Sequence, residues 1–379
     1  MNSVFILGAG ASVHAGIPVM KDFLEVVEDI HRGSGKHWSE YSAFDLVVRG
    51  RQELAAVQSK ARFDIRNLES VFAAFEVATI FGELGRLSGT DVQTLLPAIR
   101  RVIVITLEKR MEFEVSNGII QPSHHYKMFA TLMQALLAKG EVVSIITFNY
   151  DIGLDFALRA QKLFIDYCLV DAPSPDEPRI DLMKLHGSIN WAECNECKRQ
   201  ILVHQVLDAV NDEEKRFRLE GGAPPKITLR VGERFATLEH CGVNSCGPDA
   251  VIVPPTADKG GAHELLRPVW RRAAQHLREA DNVFVLGYSW PNGDQFFRQL
   301  YALGTVGPRL LRKFWVFNPD PGVRTRIASE LLGQQALDRL GGEECDKPFN
   351  DAIVYIGEKA FDIRYQAVMN AAGQRRDSS

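Results

Sequence analysis

Short, predominantly apolar runs, stopped by turn-forming residues, set the tightest limit on what this chain can fold into. They are Val4-Phe5-Ile6-Leu7, residues 142–147, Val251-Ile252-Val253, Val283-Phe284-Val285-Leu286, Phe314-Trp315-Val316-Phe317 and Ile353-Val354-Tyr355-Ile356. A strand that is apolar throughout, rather than at alternate positions, is covered on both faces. Between several of these runs the apolar residues recur at helical spacing. Strands alternating with helices predict an α/β chain with a Rossmann-like, doubly wound parallel sheet, and such sheets take ligands at the carboxyl ends of their strands.

Two stretches interrupt the alternation. Residues 33–117 read as helical, with apolar spacing through Leu68-Val71-Phe72-Phe75 and Leu95-Ile99-Val102-Ile103. Residues 191–248 hold two cysteine pairs and a polar loop marked by Gly221, Gly222, Pro224 and Pro225. The expected division is a nucleotide-binding domain of residues 1–32, 118–190 and 249–373, a helical insert at 33–117, a small zinc-binding insert at 191–248 and a disordered tail at 374–379. The composition, 46% hydrophobic and 24% charged with a net charge of -4, is that of a globular protein without a basic footprint for nucleic acid. No apolar run approaches the roughly 18 residues of a membrane span, and the first residues lack the basic start of a signal peptide. A cytoplasmic location is expected, where cysteines stay reduced.

The motifs sit where strands end. Val4-Phe5-Ile6-Leu7 leads into Gly8-Ala9-Gly10-Ala11-Ser12, a turn whose near-absence of side chains lets backbone N–H groups approach a pyrophosphate at a helix start. Val13 stands where a dinucleotide fingerprint has its third glycine, and alone the turn is equally a plain tight turn. After residues 142–146 comes Thr147-Phe148-Asn149-Tyr150-Asp151, whose Asn149 and Asp151 share a side; Asp151 alone reads as a helix cap. His186 ends an apolar stretch and precedes Gly187, a place for a general base or for a structural imidazole. Cys194 with Cys197, and Cys241 with Cys246, form two short chelate loops suited to one tetrahedral Zn²⁺, although the gap between the pairs is wide and four buried thiols are the alternative. Cys168 and Cys345 have no partner motif and read as packing residues.

Taken in order, these elements resemble the sirtuins. Gly8-Ala9-Gly10-Ala11-Ser12 followed by Gly16-Ile17-Pro18 is similar to the sirtuin Gly-Ala-Gly-x-Ser and Gly-Ile-Pro signature, and Thr147-Phe148-Asn149-Tyr150-Asp151 to its Thr-Gln-Asn-Ile-Asp element. The sirtuin catalytic histidine also precedes glycine and stands at the same interval from the first zinc cysteine as His186 from Cys194. Residues 248–253 resemble the strand by which sirtuins return from the zinc module to the main sheet. Gly287-Tyr288-Ser289 stands where sirtuins carry a Gly-Thr-Ser turn touching NAD, and Asn318 where an asparagine meets the adenosine ribose; Asp294 is a weaker candidate for the same crevice. The resemblance implies NAD⁺ as substrate, held by Gly8, Ala9, Gly10, Ser12, Gly16, Pro18, Thr147, Asn149, Asp151, His186, Gly287, Tyr288, Ser289 and Asn318, with structural Zn²⁺ on the four cysteines.

Deacylating sirtuins continue Gly-Ile-Pro with Asp-Phe-Arg, whereas this chain has Val19-Met20-Lys21, so deacylation is the weaker expectation. The chain looks more like the divergent sirtuin-like NAD⁺ hydrolases of prokaryotic antiviral defence. The expected function is NADase activity yielding nicotinamide and ADP-ribose or a cyclic form of it, with Asn149, Asp151 and His186 catalytic. Protein deacylation or ADP-ribosylation, and a non-catalytic NAD-binding sensor or assembly subunit, remain open. The same resemblance implies a homo-oligomer and an activating partner such as a ring-shaped ATPase or a nucleic-acid sensor, with no membrane and no direct nucleic-acid contact.

Overall fold

The computed structural model describes residues 1–33, 42–56, 63–116, 119–170, 179–194, 201–203, 216–218, 226–229, 231, 239–240, 243–244, 249–253, 265–291, 295–304, 309–331 and 346–364. At its centre lies a six-stranded sheet of β1 (Asn2–Leu7), β2 (Val142–Thr147), β3 (Phe164–Asp166), β4 (Arg179–Lys184), β5 (Asn282–Leu286) and β6 (Lys313–Phe317). The order is β6-β5-β1-β2-β4-β3 and every neighbouring pair is parallel. From β1 the chain steps first toward β2, β3 and β4, and later returns to the other flank of β1 as β5 and β6. The switch point, where ligands bind in such sheets, therefore lies between β1 and β5.

Register sharpens this. Leu7 stands opposite Thr147 and Leu286, Thr147 opposite Lys184, and Leu286 opposite Phe317. Five strands thus end in one row, and the residues that leave them emerge side by side.

Alternate strand residues feed two separate cores. Phe5, Leu7, Ile145, Phe284 and Phe317 pack on one face with α5 (His124–Ala138), α6 (Gly153–Ala160) and α10 (Phe349–Phe361). Val4, Ile6, Ile146, Val283, Val285 and Val316 pack on the other with α7 (Arg267–Glu279), α8 (Gln295–Gly304) and α9 (Pro321–Leu331). Burial on both faces is the physical reason that these strands are apolar throughout.

The helical reading of residues 68–75 and 95–103 corresponds to α3 (Leu68–Phe81) and α4 (Thr90–Arg110), which pack with α1 (Met20–Gly33) and α2 (Ser42–Ala56). Asn67 caps α3 by accepting from the Ser70 N–H, and Gly82 closes it in a left-handed conformation. A Cβ on Gly50 would lie 2.7 Å from the Phe75 ring, so this glycine lets α2 and α3 approach. Strand Phe113–Ser116 then pairs antiparallel with Ile119–Gln121 and with Lys226–Thr228.

Two expected strands differ from the sequence reading. Residues 353–356 belong to α10, because Phe349, Ala352, Ile353, Ile356 and Gly357 form one buried helical stripe that a four-residue window does not reveal. The run through Val251 belongs to strand Asp249–Ile252, which pairs antiparallel with Gly187–Glu193 in a three-stranded sheet instead of returning to the parallel one. Among the described residues no helix is long and apolar enough to cross a membrane.

Asp181 of β4 ties this edge of the sheet to α7. Its Oδ2 accepts from Arg272 Nε and lies equally close to His276 Nε2, both at 2.7 Å, while Arg179 Nε stands 3.4 Å from Oδ1. Burial opposes ionisation, but the hydrogen bonds and charges of His276 and Arg272 outweigh it and hold the carboxyl down to about 2. A folded-state value below the unfolded one means stability that is complete above about pH 4 and is lost as pH falls toward 2. Asp181→Asn should cost about 2 kcal/mol at neutral pH in denaturant titrations and should flatten the stability curve between pH 4 and 2. A variant that keeps the wild-type acid limb would assign that limb to other carboxylates.

Candidate functional site

The glycine turn is shaped by the strand beside it. Gly8 N donates to Leu286 O at 3.1 Å and Gly10 N to Gly287 O at 2.9 Å, which draws the exits of β1 and β5 together. A Cβ on Gly8 would lie 2.4 Å from Tyr288 Cα, and one on Gly10 would lie 2.9 Å from Gly287 Cα. Neither position has room for a side chain. Residues Ala9–Ala11 and Val13–Ala15 form two successive 3-10 turns, and Gly16 ends them at φ 84° with Arg110 O where a Cβ would go. Half-buried Pro18 then leads to α1, which starts only at Met20. The N–H groups of Gly8, Gly10, Ala11 and Ser12 are spent inside the turn and against β5, so the expected cradle of backbone donors is largely occupied.

What the turn offers instead is Ser12, fully buried and at the centre of a polar cluster. Its Oγ donates to Asp151 Oδ2 at 2.7 Å, lies 2.7 Å from Tyr126 OH, and accepts from Asn149 Nδ2 at 2.7 Å. A hydroxyl has one proton and two acceptor sites, so with its proton on Asp151 the Tyr126 hydroxyl must be the donor. Asn149 Nδ2 also donates to Gly8 O at 2.9 Å, which fixes the amide orientation and leaves Oδ1 pointing elsewhere. The Asn149 N–H donates to Thr147 Oγ1. Asp151 Oδ1 accepts from Gly153 N at 2.9 Å, so the cap-like role and the site role coexist in one carboxylate. Burial pushes the Asp151 carboxyl up, against the opposing charge of Lys184 and the bonds from Ser12 and Gly153. Burial, then the Asp151 charge, keeps Tyr126 a neutral phenol.

His186 follows β4. It is buried and lies in an aromatic group, its ring 5.0 Å from Phe148 and 6.2 Å from Tyr150. Phe148 stacks flat on Tyr288 at 4.3 Å, and Tyr288 is the residue packed against Gly8. The aromatics thus bridge the glycine turn and the histidine. The His186 carbonyl accepts from Val253 N at 2.8 Å, and Gly187 at φ 85° would place a Cβ 1.9 Å from Val251 O. The strand Asp249–Ile252 therefore presses directly on the His-Gly step.

Beneath lies a closed ring of buried polar side chains. Lys184 Nζ pairs with Asp155 Oδ2 at 2.9 Å and donates to Asp151 O and Ser188 Oγ at 2.7 and 2.8 Å. Ser188 Oγ bonds Asn190 Oδ1, Asn190 Nδ2 reaches Tyr167 OH, and Tyr167 OH donates to Asp155 Oδ1 at 2.6 Å. Lys184, Asp155 and Tyr126 were not singled out from sequence; only Lys184, a cation inside an otherwise apolar strand end, carried a local sign of a buried role. Near Ser12, the exposed His14 stacks on His125 at 3.9 Å, and burial, then His14 and His124, lower His125.

On the other flank, Gly287 at φ 62° turns β5 into Tyr288 and exposed Ser289. Asn318 is buried, with Nδ2 donating to Tyr288 O at 3.3 Å and Oδ1 accepting from Asp320 N at 2.9 Å. Gly8, Asn149, His186, Gly287 and Asn318 therefore share one shelf, while the Asn318 amide is engaged in its own loop.

Cys194 is buried; Cys197, Cys241 and Cys246 lie outside the described residues, as do Cys345, Asp294 and residues 374–379. Asp166, Cys168 and Asp181 also bring three ligand-type atoms together. Their carboxylates are taken by Arg179, Arg272 and His276, and burial pushes the Cys168 thiol up, which disfavours the thiolate that a metal needs.

No family model matches the chain, and no curated protein does. Among solved structures it is similar to a mutant Sir2 homologue in complex with ADP-ribose, at 16% identity and a TM-score of 0.39, with 98% of this chain and 93% of that chain covered. It is likewise similar to a Sir2 enzyme at 11% identity and a TM-score of 0.40, with 98% and 93% covered, and to Sir2 bound to an acetylated peptide at 14% and 0.37, with 95% and 93% covered.

Removing the Ser12 hydroxyl strips a partner from Tyr126, Asp151 and Asn149 at once. Ser12→Ala should destabilise the fold by about 2 kcal/mol or more, the cost of leaving buried polar groups without partners, and Tyr126→Phe by less, since it removes the donor itself and leaves Ser12 Oγ bonded to Asp151 and Asn149. Denaturant midpoints of the two variants measure this; a neutral Ser12→Ala would mean that the cluster contributes no stability.

Proposed function

We propose that this chain is a sirtuin-like NAD⁺ glycohydrolase that cleaves the bond between nicotinamide and ribose. The observation that carries the reading is the convergence of Asn149 and Asp151 on the glycine turn through Ser12, with His186 leaving the neighbouring strand in the same row. Nicotinamide departs neutral from a cationic pyridinium, so the reaction needs a held substrate, a stabilised oxocarbenium-like centre and a placed nucleophile more than an acid.

Asn149 supplies the placement. With Nδ2 held by Gly8 O and Ser12, its Oδ1 is the group that accepts from a water or ribose hydroxyl. The water oxygen bonds to the anomeric carbon as the glycosidic bond breaks, the bonding pair returns to the pyridine nitrogen, and His186 takes the water's proton. Asp151 fixes Ser12 and, when ionised, favours positive charge on the sugar. Val19-Met20-Lys21 in place of Asp-Phe-Arg supports water rather than an acyl-lysine as the acceptor. As part of the same reading the chain acts as an oligomeric effector that depletes NAD⁺ in antiviral defence, restrained until a partner activates it.

Purified protein incubated with NAD⁺, alone and with its genomic neighbours, should release nicotinamide, and His186→Ala and Asn149→Ala should each lower the rate by about 100-fold or more, the range for loss of a placed general base and of a group that positions the nucleophile. Turnover that depends on an acyl-lysine peptide or a protein acceptor would convert the reading to group transfer, and tight binding without turnover would make the chain a sensor. Cys194, Cys197, Cys241 and Cys246 are proposed to hold one structural Zn²⁺. Four thiolates close the tetrahedral shell and leave no place for substrate. Elemental analysis should find about one zinc per chain, and replacing any of the four by Ser should lower the yield of folded protein. A folded, zinc-free preparation would refute this.

A further inference from the structure

The dinucleotide reading leaves one part of the shelf unaccounted for. If the reacting ribose lies over β2 and β4, the rest of the ligand crosses the switch point toward β5 and β6. Two arginines of α9 meet it there. Arg324 Nη1 donates to Asn318 O at 3.0 Å and Arg326 Nη2 to Ser289 O at 2.5 Å, so each guanidinium lies against the exit of one of these two strands. A guanidinium carries five N–H donors, and each of these spends one on a main-chain carbonyl. Arg326 Nε is buried with no hydrogen-bond partner among the described residues.

Among the described residues no carboxylate lies within salt-bridge distance of either guanidinium. Glu330, one turn beyond Arg326, is paired with Arg298 at 2.5 Å, and Asp320 Oδ1 accepts from Gly322 N. Arg298 leaves Nε and Nη2 without partners as well, so the β5 and β6 flank carries a surplus of unspent guanidinium donors among the described residues. Meanwhile the Asn318 amide is tied at both ends within its loop. Crevices that accept an unphosphorylated adenosine ribose place a carboxylate to bond its 2′-hydroxyl, whereas a nearby arginine accommodates a 2′-phosphate. This flank has the arginines.

Resting on the dinucleotide reading, which keeps NAD⁺ as a substrate, we infer that Arg324 and Arg326 form a phosphate subsite that gives a dinucleotide phosphorylated on its adenosine ribose the tighter binding. Planar guanidinium forks suit a phosphate monoester, which takes paired N–H bonds. The same donors would also suit the ligand's own pyrophosphate, and the two sources are separable by ligand choice.

The test measures binding of ADP-ribose and of 2′-phospho-ADP-ribose, neither of which has a nicotinamide bond to break, by calorimetry on the full chain at fixed salt. The 2′-phosphate should bind at least about 10-fold more tightly, as charged hydrogen bonds predict, and Arg326→Gln and Arg324→Gln should each erase most of that preference while changing ADP-ribose little. Arg326→Lys, which keeps the charge and loses the fork, should retain part of it. Thermal melts of each variant identify any that fail to fold, and the lysine variant then stands in. Equal affinity for the two ligands in the wild type, or a parallel loss of both in the variants as pyrophosphate contacts require, would overturn the subsite while leaving the dinucleotide reading intact. If neither ligand binds, both fall.

Discussion

Parallel register is the constraint on which the rest of this molecule depends. Leu7, Thr147, Lys184, Leu286 and Phe317 stand in one row across the central sheet, so the chain leaves five strands at the same level. A slip of one residue in a strand buried on both faces would exchange its two core-facing sets and move its exit off the row. The cores guard against this because Phe5 and Leu7 fill one layer, and Val4 and Ile6 the other. Gly8, Asn149, His186, Gly287 and Asn318 are neighbours as a result of hydrophobic packing several residues below them.

Below the row the protein buries charge. Lys184 and Asp155 are both excluded from solvent, an arrangement whose desolvation cost commonly rivals its Coulombic gain. Here every member of the ring through Tyr167, Asn190 and Ser188 finds partners, which is the condition under which such networks specify one arrangement. Lys184 also holds the carbonyl of Asp151, and so anchors the backbone that carries the Ser12 cluster.

Much of the frame was legible because it is local. Residues 4–7, 142–147, 283–286 and 314–317 announce themselves as strands by composition, and Gly8-Ala9-Gly10 marks the first exit. The pairing of Asn149 with Asp151 was visible from their spacing. Residues 353–356 misled because four apolar residues fit a helix face as well as a strand, and the deciding residues, Phe349 and Ala352, lie before them. The strand through Val251 was legible as a strand, but its antiparallel partner was not, since pairing with Gly187–Glu193 is a long-range choice. Tyr126 lies 114 residues from the Ser12 it bonds, and no local pattern joins them. The capture of the Gly8 and Gly10 N–H groups was equally hidden, because it depends on Leu286 and Gly287, far along the chain.

The contact between Gly8 and Tyr288 has a consequence for how such a sequence can change over time. Because Tyr288 Cα occupies the space of a Gly8 side chain, the first glycine answers to backbone geometry at a distant residue. Any descendant would be obliged to keep this glycine while the exits of β1 and β5 stayed joined, whatever the shelf came to hold. Persistence of the turn is thus a record of architecture.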